Sequence, residues 1–315
     1  MGPRLLGSVI LALVVAACGG GAGSTAPSAE SSTAGPPSPS ASTELVGDFD
    51  VGGGRTMHLV CVGPTDRGEP TILLESGGGM DYSTWTEILP VMQSTHRLCA
   101  YDRAGLGASD PPAEASRLAA DQVADLRAML DAAGVSGPFV VGSWSYGATV
   151  ATLFTQAYPD DVVGLLFVDP QSPGVVAKWR DALPAPTDDE PASVTSLRKE
   201  FDTFYDDPSQ NPEHVHLLPS LAEAAAALEA PGQLFGDRPV VVLSAGSTPA
   251  TQQGLPPDLA TTLQDLWTAA QQELADESTA GARETVPGAG HAIQVEKPQA
   301  VIDALEDVLA GLATS

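Results

Sequence analysis

The chain has little positive charge, few cysteines and no apolar run long enough to span a bilayer, and each of these narrows what it can do. It carries 14 basic residues against 40 acidic ones, a formal charge of −26, and a surface of that sign repels phosphate backbones and anionic lipid headgroups. No nucleic-acid partner is expected. The acidity implies solubility and points to no particular substrate. The apolar run Leu5 to Ala17 is about 13 residues, short of the roughly 20 that a helix needs to cross a membrane. His214 and His216 could share a face, but two ligands do not make a zinc site. No metal or other cofactor is expected, and there is no internal repeat.

The first residues have a different purpose from the rest. Arg4 is the sole early charge and is followed by the apolar run and then Cys18, the layout of an export signal over residues 1–17 that is removed on maturation. Val15-Ala16-Ala17-Cys18 resembles the lipobox of bacterial lipoproteins, which implies that Cys18 is lipid-modified and heads the mature protein at a cell membrane, on the extracytoplasmic side. The stretch up to Thr43 is built of Gly, Ala, Ser, Thr and Pro with one charge, Glu30. Such a segment buries too little apolar surface to offset its ordering entropy, so residues 18–43 read as a lipidated, disordered linker. From Glu44 to Ser315 the composition becomes mixed, which fits one large domain with an inserted cap. With Cys18 assigned to the anchor, Cys61 and Cys99 remain, and an exported chain favours their pairing over two separate buried thiols.

Short apolar runs at Met57–Val62, Thr71–Leu74, His96–Tyr101, Phe139–Val141, Val162–Val168 and Val240–Leu243 alternate with helical or loop stretches. Strands buried on both faces of a mostly parallel sheet have this pattern. Ala119, Val123, Leu126, Leu130 and Ala133 keep a spacing of three or four and stop at Gly134, a crossover helix with its C-cap. Pro298 opens a final helix whose face carries Val301, Leu305, Val308 and Leu312. The interval from about 171 to 238 breaks the rhythm, with helices predicted around Thr195–Phe204 and Leu221–Leu228. Its length exceeds that of an ordinary loop and predicts a helical cap over a site.

The chemistry concentrates at four places. Phe139 to Ala148 runs from an apolar strand through Gly142-Ser143-Trp144-Ser145-Tyr146-Gly147 into a helix start. A serine on so tight a turn needs small residues two before and two after, here Ser143 and Gly147, and its hydroxyl is forced into the open. The strand ending at Leu74 runs into Glu75-Ser76-Gly77-Gly78-Gly79-Met80, where backbone N–H groups can approach a ligand unobstructed; no G-K-[ST] ending follows, which disfavours a phosphate loop. The Gly78 and Tyr146 N–H groups could together bind an oxyanion. Tyr101-Asp102-Arg103-Ala104-Gly105-Leu106-Gly107 is a polar glycine turn whose Asp and Arg brace loops. Finally, His291 lies between small residues in Val286-Pro287-Gly288-Ala289-Gly290-His291, after the serine in chain order, the setting of a general base.

On these four elements, residues 45–312 resemble the α/β-hydrolase superfamily, in its esterase- and lipase-like branch of serine hydrolases. The resemblance implies an eight-stranded, mostly parallel sheet with an antiparallel second strand, flanked by helices, and a cap inserted after strand six. It also implies that the second and fourth strands are neighbours, which would bring Cys61 and Cys99 within bridging range. Two departures stand out. The usual His-Gly of the oxyanion strand is Ser76-Gly77, which leaves a hole made by backbone intact. The acid that many members carry after strand seven is missing from Val241 to Thr248, whereas Asp169 ends strand six, where some relatives draw theirs. Asp169 is preferred over Glu75, Asp258 or an acid in the insertion. The expected activity is cleavage of an ester or related acyl bond in a small molecule through an acyl-enzyme on Ser145. A serine at the elbow argues against dehalogenase and epoxide-hydrolase chemistry, whose nucleophile there is an aspartate. The alternatives are a peptidase of the same fold and a noncatalytic binding lipoprotein on that scaffold.

Overall fold

Leu73 packs on one side of its strand while Ile72 and Leu74 pack on the other, and all three are at most 1% exposed. Phe167 repeats the pattern between Leu166 and Val168. Apolar residues in unbroken runs are stable only where both faces of the sheet are covered, and that is the arrangement in the computed structural model. It describes residues 44–65, 68–246 and 254–313, all within the unit Ser40–Ser315. The expected export signal, Cys18 and linker lie outside the described residues.

Among the described residues eight strands form one sheet, β1 (Leu45–Gly52), β2 (Arg55–Val62), β3 (Thr71–Glu75), β4 (Leu98–Tyr101), β5 (Phe139–Trp144), β6 (Val162–Val168), β7 (Gly236–Ala245) and β8 (Ser278–Val286). Their spatial order is β1-β2-β4-β3-β5-β6-β7-β8. β2 runs antiparallel to both neighbours, and every pairing from β4 through β8 is parallel. The fold is thus the α/β-hydrolase fold expected. The helix Ala119–Ala133 ends where predicted, with Gly134 in the left-handed conformation at φ 67°. It shares one face of the sheet with the helix Gly147–Ala157, while the C-terminal helix Pro298–Leu312 buries Val301, Leu305 and Val308 on the other. No helix among the described residues is long and apolar enough to cross a membrane.

Two strands were not visible as apolar runs. β1 alternates half-buried and exposed residues, and β8 is exposed along most of its length. Both are sheet edges, where one side of each strand meets water and a continuous apolar run is not required. Between β6 and β7 lie helices Val175–Ala182, Ala192–Glu200 and Leu217–Glu229. The expected Thr195–Phe204 helix begins earlier and gives way to a π-turn at Phe201–Tyr205, while Val175–Ala182 went unread because its apolar face is only Val175, Val176 and Trp179. β7 begins at Gly236, so the insertion ends slightly before the expected 238.

Cys61 and Cys99 are direct partners across β2 and β4, both fully buried, and are joined as a disulfide with a sequence separation of 38. On chain entropy a loop of that size stabilises the fold by about 4 kcal/mol. Replacing both cysteines by serine, or reducing the bond, is expected to lower the denaturant midpoint accordingly. Alkylation of unfolded, unreduced protein followed by mass analysis should leave both positions unmodified; modification of either would show that the bond is absent in solution.

Candidate active site

Three features hold the turn between β5 and its helix. Ser145 has φ 54°, in the left-handed region that side chains rarely adopt. Its N–H donates to the Val168 carbonyl at 3.2 Å, and its own carbonyl accepts from Ala148 at 3.1 Å and from Gln171 at 3.1 Å. A Cβ at Gly147 would lie 2.8 Å from the Ser76 carbonyl oxygen and 2.9 Å from the Glu75 backbone, so the small residue demanded by the motif is demanded by β3. Gly147→Val should therefore displace the serine, read as loss of activity without loss of the sheet's circular-dichroism signal.

Asp169 follows β6 directly and is fully buried, with φ 36°. Its Oδ1 accepts from Ala245 N at 3.1 Å, Trp267 Nε1 at 3.2 Å and Gln271 Nε2 at 2.9 Å. Its Oδ2 faces His291 Nδ1 at 2.7 Å, and His291 Nε2 lies 2.9 Å from Ser145 Oγ. Strand ends β5 and β6 and the loop after β8 thus bring three residues, distant in sequence, into one hydrogen-bonded line. The His291 ring stands between Trp144 at 5.4 Å and Trp267 at 6.1 Å. Its loop is fixed by two bonds, Trp144 Nε1 to the His291 carbonyl at 2.8 Å and Gly290 N to Glu296 Oε2 at 2.8 Å. A hydroxyl in this setting can pass its proton to the imidazole Nε2, and a buried carboxylate behind the ring holds the ring's other proton on Nδ1.

Gly78 and Tyr146 sit beside Ser145 in a cavity of about 120 Å³. Their backbones are adjacent, since a Cβ built on Gly78 would be 3.4 Å from Tyr146 Cβ. Tyr205 and Gln171 reach the same cavity, with Gln171 Nε2 donating to the Tyr205 hydroxyl at 2.7 Å. Burial raises the Tyr205 phenol to about 12, so at neutral pH it keeps its proton and can donate.

The other candidate acids lie elsewhere. Glu75 is buried among Tyr101 and Arg103, and Asp258 is exposed in the first turn of the helix Pro257–Asp276. Asp102 braces loops as read, accepting from Tyr82 N and Ala108 N, each at 2.8 Å. His214 bonds the Glu114 carbonyl at 3.0 Å, and no metal-binding cluster occurs among the described residues. Trp267 and Gln271, which hold Asp169, went unread, although Leu263, Trp267, Ala270 and Leu274 keep a helical spacing and a Gln inside such a face signals a buried polar contact. Gln271→Leu should destabilise by about 1–3 kcal/mol, because the Ser244 hydroxyl loses its acceptor and the Pro170 carbonyl and Asp169 Oδ1 each lose a donor. Thermal unfolding measures it.

Comparison with known proteins places this geometry in context. The probable transporter efuK of Hormonema carpetanum is 33% identical over 126 residues, 39% of this chain and 18% of that protein. Lipase 1 of Psychrobacter immobilis is 29% identical over 167 residues, 51% of this chain and 49% of the lipase. The chain thus spans under a fifth of the first of these relatives and about half of the second. A thermophilic esterase from Thermogutta terrifontis superposes with a TM-score of 0.54 at 18% identity, over 86% of this chain and 99% of the esterase, a likeness of fold. A profile of the alpha/beta hydrolase family matches residues 72–304, a span that runs from β3 through the elbow, the insertion and the histidine loop. With the sheet order above, that match makes this chain a member of the alpha/beta hydrolase family.

Proposed function

We propose that the chain is a serine hydrolase that cleaves a carboxylic ester of a small molecule by acyl transfer. Ser145 attacks the carbonyl, His291 takes the proton and returns it to the leaving group, Asp169 orients the imidazole, and the Gly78 and Tyr146 N–H groups bind the oxyanion. The observation that carries this reading is the 2.9 Å contact of Ser145 Oγ with His291 Nε2, backed by the 2.7 Å contact of Nδ1 with Asp169. The name of the Psychrobacter relative, a lipase, favours an ester over a peptide bond. A fluorophosphonate probe should label the intact protein at Ser145 and fail to label Ser145→Ala. An unlabelled wild-type protein would refute the serine mechanism and favour a binding role for the scaffold.

The proposed location is the extracytoplasmic side of a cell membrane, through a lipid on Cys18 with residues 19–43 as a tether. Intact-mass analysis of protein from the native membrane should find Cys18 as the lipidated first residue. A mature terminus beyond Cys18 would overturn the anchor.

A further inference from the structure

Beneath the oxyanion loop lies a buried charge cluster that the acyl-transfer scheme does not use. Arg103 is 2% exposed. Its Nη1 donates to Glu75 and to the Ser76 carbonyl at 2.6 Å, and its Nη2 donates to the Gly77 carbonyl at 2.7 Å and to Glu213 Oε1 at 3.1 Å. Its Nε meets Glu213 Oε2 at 2.6 Å. Glu213 comes from the segment between β6 and β7, is 4% exposed, and also accepts from Gly79 N at 2.8 Å and Gln122 Nε2 at 2.6 Å. Gln122 Oε1 in turn takes the hydroxyl of Tyr146, at 2.9 Å. The cluster thus ties directly to the backbone of Ser76, Gly77 and Gly79 and, through Gln122, to the side chain of Tyr146, the two stretches that flank Ser145, while the far oxygen of Glu75 takes the Tyr101 hydroxyl.

Gly77-Gly78-Gly79 has no side chains with which to hold itself, and glycine has the most backbone freedom to lose. Within the loop a turn hydrogen bond runs from Met80 N to the Gly77 carbonyl at 3.2 Å, and the other ties come from outside it. A peptide unit is planar and trans, so its C=O and N–H point in opposite directions. Binding the Gly77 carbonyl therefore aims the Gly78 N–H away from Arg103, and Glu213 turns the Gly79 N–H toward itself. The Gly78 N–H is left without an acceptor among the described residues, on the wall of the cavity at Ser145.

We propose that Arg103 is a positioning residue whose guanidinium sets the oxyanion hole by holding the Ser76 and Gly77 carbonyls, and that Glu213 makes this geometry depend on the docked insertion. The inference rests on the serine-hydrolase reading. An Arg is needed because its planar fork reaches both carbonyls and two carboxylates, Glu75 and Glu213, at once, whereas an ammonium is a single point of donation. Gln at position 213 would retain one acceptor oxygen and turn an NH₂ toward donors, either Gly79 N and Arg103 Nη2 or Arg103 Nε and Gln122 Nε2.

Wild type, Arg103→Lys and Glu213→Gln, each titrated to completion with a fluorophosphonate, are compared on p-nitrophenyl acetate and with a trifluoromethyl ketone as transition-state analogue. Arg103→Lys should lower kcat per titrated site by about 10²-fold, the loss seen when one oxyanion donor is removed, with KM within about threefold. Its inhibition constant for the ketone should rise by a similar factor. Glu213→Gln should show the same signature at about tenfold. A role confined to stability would lower the melting temperature and leave kcat per titrated site within about threefold of wild type in both variants, which would overturn the proposal. If Arg103→Lys does not fold, Glu213→Gln decides. Failure of wild type to be labelled at Ser145 would instead remove the serine reading, and this inference with it.

Discussion

Turnover is expected to fall by about 10⁶-fold when Ser145 or His291 is replaced by alanine, with the double variant scarcely worse, because residues that act as one unit are strongly non-additive. The effect follows from the single line of contacts, Oγ to Nε2 at 2.9 Å and Nδ1 to Oδ2 at 2.7 Å. Without the serine there is no acyl acceptor, and without the imidazole the hydroxyl keeps its proton at neutral pH. Rates on a p-nitrophenyl ester, normalised to folded protein, measure the loss. Additive losses in the double variant would mean that the two side chains serve separate steps. Ser145 is half-buried on the cavity wall, so the melting temperature of Ser145→Ala should stay close to that of wild type.

The second large effect is Asp169→Asn, with an expected loss of about 10⁴ in turnover, the size found for the equivalent change in a serine protease. The geometry gives the reason. Oδ1 is held by three donors, Ala245 N, Trp267 Nε1 and Gln271 Nε2, so the amide oxygen of asparagine takes that place. Its NH₂ then faces His291 Nδ1, which must become an acceptor and move its proton to Nε2. A protonated Nε2 cannot receive the Ser145 proton. Fluorophosphonate labelling should slow in parallel with turnover, and the imidazole NMR signals should report the changed tautomer. A near-normal rate would remove Asp169 from the mechanism.

The elbow, the glycine run and the histidine loop were legible because each is written in consecutive residues. A strand, a tight turn and a helix start leave small residues at fixed offsets, as Ser143 and Gly147 do around Ser145. Asp169 was legible by a different route, as the carboxylate at the C-terminal end of β6 once the end of β7 proved to have none. What remained hidden depends on contacts across long separations. Trp267 and Gln271 meet Asp169 from 98 and 102 positions away, and Glu213 meets Arg103 from 110. No local spacing encodes such a partner; the closest signal is a polar residue in an otherwise apolar helix face, as Gln271 is. The edge strands β1 and β8 were obscured for the opposite reason, since exposure frees them from the apolar run by which the inner strands are recognised.

The place of Asp169 bears on how this scaffold can be re-engineered. It is joined through Pro170 to Gln171, whose N–H bonds the Ser145 carbonyl and whose side chain reaches Tyr205. The first residues of the inserted segment therefore belong to the framework of the proposed catalytic site, and the segment is not a cassette that can be exchanged at its strand boundaries. A chimera cut at Val168 would import a foreign acid and a foreign tie to the elbow. One cut after Gln171 keeps both, and it must also carry a carboxylate in the place of Glu213 to meet Arg103. Grafted specificity in this chain is thus confined to the stretch between those two anchors and to the helix Leu217–Glu229 that follows.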